Sequence, residues 1–112
     1  MSTVSIEKEI VSNLSKIRHI TASHFPIGHS FIPYDILLTV LDFHINEKKL
    51  TVKNLFVVLP FSDMGLRYHF NRLLNSGWVE LVKSETDSRI KEVVPSEKLL
   101  SNFAEVIVKL KK

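Results

Sequence analysis

The sequence predicts an α+β fold that is mostly helical, and three observations carry that prediction. Apolar residues recur at three- and four-residue steps in five separate segments. One stretch rich in β-branched residues, split by a polar turn, lies between the fourth and fifth of them. From Thr51 to Val94 the order is short helix, tight turn, amphipathic helix stopped by glycine, and two-stranded hairpin. That is the order of a winged helix-turn-helix, here with a helical segment at each end of the chain.

The first segment places Ile6, Ile10, Leu14, Ile17 and Thr21 on one side of a helix. The second follows Pro33, a residue tolerated in a first helical turn, and runs through Tyr34–Ile45. It is apolar almost all round, which predicts a central position and a buried His44. Asn46–Lys49 is a polar loop, and Leu50-Thr51 opens the next helix with Thr51 as its cap and Leu55, Phe56 and Leu59 inward. After the hairpin, Ser96 caps a last helix with Leu99, Leu100, Phe103, Ile107 and Leu110 on one side. Lys109, Lys111 and Lys112 suit the negative end of its dipole.

The helix after the turn is the most informative element. Ser62 is a good N-cap, and Asp63 places a negative charge at the positive end of the dipole. Leu66, Phe70, Leu73 and Leu74 make an apolar stripe, and Asn75-Ser76-Gly77 ends the helix. At about 100° per residue, Met64, Tyr68, Asn71 and Asn75 collect on the opposite face, flanked by Gly65, Arg67 and Arg72. Arg and Asn can make paired hydrogen bonds to guanine and adenine edges, and Gly65 would let the backbone approach a phosphate. In the hairpin, Trp78–Lys83 and Arg89–Val94 read as strands, with Val79 and Leu81 on a buried face. Asp87 and Arg89 lie two apart at its tip, where a carboxylate can orient a guanidinium toward a phosphate or a narrow minor groove.

Residues Ser62–Gly77 running into Trp78-Val79, with Asp87-Ser-Arg89 before Val93–Lys98, resemble the MarR family of bacterial winged-helix regulators. The resemblance spans roughly Pro33 to Leu100. It implies a sequence-specific transcription regulator that puts one helix in the major groove and the wing on flanking double-stranded DNA. By position it places Met64, Gly65, Arg67, Tyr68 and Asn71 in the groove and Arg89 on the wing. With Ser62 at the turn and Arg72 on the flank, these are the candidate DNA-contacting residues. It further implies a homodimer through the terminal helices, and an effector of unspecified identity at the dimer junction. The alternative is a winged-helix module that meets another protein, since Met64 and Tyr68 suit an interface as well as a base.

Composition narrows the function classes. A chain of 112 residues, 45% hydrophobic, can bury one core and is expected to form a single domain over 1–112. With no cysteine, disulfides and thiol redox sensing are excluded. No signal peptide or spanning run is evident, so a cytoplasmic protein without membrane contact is expected. The net charge of +3 is mild and permits phosphate binding without arguing for it. Glu85 and Asp87 offset Lys83, Arg89 and Lys91 in the wing. His19, His24 and His29 lack metal-ligand spacing, and no nucleophile stands near a base. Neither a metal, a cofactor nor catalysis is expected.

Overall fold

The computed structural model describes residues 3–112, so the first two residues of the expected domain lie outside it. The elements are α1 (Thr3–His24), α2 (Phe31–Ile45), α3 (Val52–Val58), α4 (Asp63–Asn75), β1 (Val79–Lys83), β2 (Lys91–Pro95) and α5 (Glu97–Leu110). The fold is a winged helix-turn-helix between two terminal helices, as the periodicity predicts. Side-chain caps set the helix starts: Ser30, Thr51, Ser62 and Ser96 each accept a hydrogen bond from a first-turn N–H, at 3.1 Å in every case. Ser30 therefore starts α2 three residues earlier than expected, and Pro33 still falls within the first turn.

Two helix ends use a left-handed residue. Gly77 (φ 80°) closes α4, with Trp78 N–H donating to Leu73 O and Gly77 N–H to Leu74 O. Glu47 (φ 55°) closes α2 the same way, with Lys48 N–H on Phe43 O. A β-carbon makes that conformation costly, so α2 ends under local strain.

The core is built on Ile36, Leu37 and Val40 of α2, Leu55 of α3, Leu66 of α4, Val79 of β1 and Leu99 of α5. Leu50 completes it by a route that periodicity does not show. Its carbonyl accepts from Val93 N–H at 2.7 Å, and Thr51 bridges Glu92, so the approach to α3 acts as an added edge for β2. Phe25 and Ile27, in the loop between α1 and α2, are also buried.

Several expectations are corrected. α2 is buried on one side only: Phe31, Leu38 and Ile45 are exposed, and so is His44, which is not a core histidine. The hairpin is antiparallel, from Val79 opposite Pro95 to Lys83 opposite Lys91, so Arg89 belongs to the turn and not to a strand. Only Val79 of β1 is buried; Leu81 is 41% exposed although Val93 opposite it is buried, because β1 is the outer strand and the Leu50-Thr51 segment covers the β2 side. In α5 the inward set is Leu99 and Val106, with Leu100, Phe103 and Leu110 half-buried and Ile107 exposed.

The terminal helices pack on each other, α1 against α5, and Lys16 Nζ donates to the backbone O of Lys112. α1, about 33 Å long at 1.5 Å per residue, extends the molecule to 55 × 28 × 25 Å. Of its residues only Thr21 is buried, and Ile6, Ile10, Val11 and Leu14 face solvent.

Candidate nucleic-acid interface

α4 is anchored by Leu66, Phe70 and Leu73, with Phe70 edge-on to Phe56 of α3 at 5.8 Å. That leaves the opposite face outward: Met64 is 82% and Tyr68 56% exposed, and Asn71, Arg72 and Asn75 are exposed beside them. The structure thus brings together, on one uncovered surface, the polar face expected from the helical wheel. Ser62, exposed at the turn, uses its hydroxyl to cap α4.

Gly65 has a structural reason other than phosphate approach. A Cβ there would lie 3.1 Å from Ile32 Cδ1 and 3.1 Å from Ser62 Oγ, so glycine lets the first turn of α4 sit close on α2.

Each guanidinium of the surface already has a partner. Arg67 Nη2 meets Asp63 Oδ2 at 2.9 Å, one turn back, and lies over Phe56. Arg72 Nη1 donates to Tyr68 Oη at 3.0 Å, with the guanidinium 5.6 Å from the Tyr68 ring centre. Arg89 Nε and Nη2 donate to the two oxygens of Asp87 at 3.1 and 3.0 Å, and Asp87 Oδ1 also accepts the Arg89 N–H. Ser84 N–H on Ile90 O closes the turn behind them. These bonds hold the Asp87 carboxyl below the usual carboxylate range, the Arg89 side chain first and its backbone N–H second, and they raise Arg89. The Arg89 side chain is 88% exposed, so it is oriented at the wing tip without being enclosed.

Beside the face, His69 is half-buried and edge-on to Tyr68 at 5.0 Å. Burial first and the Arg72 charge second hold it below the ordinary imidazole value. His69 and Arg72 share a cavity of about 250 Å³ with His29 and the loop residues Pro26 and Gly28. A second cavity, of about 300 Å³, lies between α1 and the start of α2 and is lined by Leu14, Ile17, Arg18, Phe31 and Tyr34 among others. His24 Nδ1 is 3.0 Å from Ile20 O within its own helix. Among the described residues no group of three or more His, Asp or Glu is placed to hold a metal ion, and no helix is long and apolar enough to cross a membrane.

No family model matches the chain, and no curated protein matches it. Solved structures do. A helix-turn-helix with its wing, set between packed terminal helices, defines a winged-helix fold, and the superpositions specify which kind. Transcriptional regulator Tm0710 from Thermotoga maritima aligns at TM-score 0.69 and 17% identity, over 95% of this chain and 70% of that one. AbsC, a MarR family transcriptional regulator from Streptomyces coelicolor, aligns at 0.57 and 19%, over 99% and 76%. Reduced AbfR bound to DNA aligns at 0.57 and 20%, over 96% and 76%. The chain has the MarR-type winged-helix fold.

Proposed function

We propose that this chain is a sequence-specific DNA-binding transcription regulator that acts as a homodimer. The observation that carries the reading is the uncovered polar face of α4, presented beside an arginine-tipped wing on the fold of a protein solved with DNA. In this reading Met64, Tyr68, Asn71 and Arg67 enter the major groove. Arg67 and Asn71 read bases, while Ser62, the Gly65 backbone, Arg72 and Arg89 contact the flanking DNA. The existing ion pairs do not oppose this, because exposed pairs contribute little and a phosphate or base can replace the partner.

The dimer follows from α1. Its apolar stripe is unpaired along most of its length, and a second copy brings two recognition helices about one DNA turn apart, doubling the contacts. The cavity between α1 and α2 is of the size that takes a small apolar ligand, and it adjoins the stripe, so an effector there would act on the dimer. The likeness to transcriptional regulators supports a non-enzymatic role, which we place in the cytoplasm as one domain.

The second reading, a module that docks on another protein, draws on the 82% exposed Met64 and the already paired arginines. Selection of bound fragments from genomic DNA separates the two. A recurring, two-fold symmetric motif is the expected result; no enrichment over random fragments would move the interaction module ahead.

A further inference from the structure

The α4 flank facing the α1–α2 loop carries an arrangement that the groove face does not use. His29 comes from the loop, His69 and Arg72 from α4, and the three line one cavity of about 250 Å³. Ser30 and Pro33, from the start of α2, complete the same wall and bring the positive end of that helix to it. Among the described residues no acidic side chain lines the cavity, and its charged and titratable groups are these three. Arg72 spends one N–H on Tyr68 and depresses protonation of its neighbour His69. Such a grouping of basic side chains is stabilised by an anion and by nothing else among its lining residues.

Position selects the anion. His69 stands about 100° round the helix from Tyr68, on the flank and not the front of the recognition face. When a helix lies in the major groove, its flanks meet the sugar-phosphate strands. At ~30 Å³ per water, the cavity has room for a phosphate and several waters.

We propose that this cleft seats a backbone phosphate of bound DNA, held by Arg72, His69 and His29, and that proton uptake by His69 couples DNA affinity to pH. The proposal rests on the DNA-binding reading above. An unliganded His69 is kept neutral near pH 7 by burial and by Arg72. A seated phosphate favours the imidazolium, so binding takes up a proton and affinity rises as pH falls. Each unit by which the phosphate raises a histidine pKa corresponds to about tenfold in affinity at the acid end.

The test is fluorescence anisotropy of the full chain on a selected DNA duplex, from about pH 8 to about pH 5.5 at fixed ionic strength. The unmodified protein is expected to bind about tenfold tighter at the acid end, with a salt dependence steeper by about one unit as His69 is protonated. His69→Gln and His29→Gln together should flatten both trends and remove the roughly tenfold gain at the acid end. Arg72→Gln should weaken binding across the range. Because His69 is half-buried, the exposed His29→Gln variant alone provides a second readout, weakening binding with the fold undisturbed. If the double variant keeps the full pH dependence, the cleft is not the phosphate seat although the DNA reading stands. If the protein binds no DNA, NMR titration of the free protein with inorganic phosphate decides the cleft separately. Movement of the His29 and His69 ring signals, with a raised His69 pKa, supports a phosphate site open to free anions. Unmoved signals overturn it.

Discussion

Leu14→Glu isolates the proposed dimer contact from the fold. Leu14 is 61% exposed in the single chain, so a carboxylate there stays in water and should leave the monomer folded. Phe103, on the apolar side of α5, is half-buried against the core, so a charge there should destabilise the fold as well. Full burial of a leucine side chain is worth about 1.5–3 kcal/mol, so covering the exposed part of Leu14 contributes about 1–2 kcal/mol per protomer. A two-fold interface uses the residue twice, which makes about 2–4 kcal/mol, and a charge pressed into the apolar stripe adds to the loss. Dimer association should therefore weaken by about 30- to 1,000-fold. Leu14 also lines the α1–α2 cavity, so Ile10→Glu, at a stripe position outside that cavity, serves as the independent check. Sedimentation equilibrium at micromolar concentration reads the association, circular dichroism the fold, and anisotropy the DNA affinity. Folded monomers with weak non-specific DNA binding are expected. An unmodified protein that is itself monomeric at micromolar concentration, or folded variants that remain dimeric, would refute the reasoning.

Four further outcomes follow from the geometry. Arg67→Ala or Asn71→Ala should cost about 1–3 kcal/mol on the cognate site and much less on random DNA; equal losses on both, by competition anisotropy, would reassign the residue to phosphate contact. Arg89→Ala should lower affinity on all sequences and make the salt slope shallower by about one unit, and an unchanged slope with unchanged affinity would leave Arg89 as only a partner of Asp87. Glu47→Gly should raise stability by about 1 kcal/mol in urea denaturation, because glycine takes the positive φ without strain; a loss would mean that the Glu47 side chain has a role of its own. His69, with a folded pKa below its unfolded one, should make stability fall as pH drops below about 6.5, an acid-side loss that His69→Gln should reduce in the same assay.

The helices were legible because their signals are local. Three hydroxyl caps, one glycine stop and an apolar stripe specify α3, α4 and α5 without reference to the rest of the fold. What was not legible depends on partners distant in sequence. The burial of Leu50 comes from a hydrogen bond to Val93, and Phe25 and Ile27 are buried by packing that a loop-like sequence does not announce. β1 alternates as a half-buried strand should, yet it is the outer strand of the hairpin, and it is Val93 of β2, opposite Leu81, that reaches the core. His44 failed for a related reason: an all-round apolar helix reads as central, whereas α2 is covered on one side only.

The site shows the same division between what a helical wheel can place and what it cannot. It placed Met64, Tyr68, Asn71 and Asn75 on one exposed face. It could not show that Arg67, Arg72 and Arg89 are each bound to a neighbour, which changes how the interface should work. Counting charges suggests three free cations, but Asp63 and Asp87 neutralise two of them, and Tyr68 holds the third in place. In the proposed complex, such a surface exerts little long-range pull on DNA, so encounter should be slow and only mildly salt-sensitive compared with a basic wing. Affinity must then come from close contact after docking, where a guanidinium exchanges a carboxylate for a phosphate or a guanine edge. That places the burden on geometry, with two rigid copies of α4 held at the spacing of two half-sites. On this argument an unpaired α1 stripe and a weakly charged wing are connected, because a recognition surface this close to neutral needs the second subunit to bind DNA tightly.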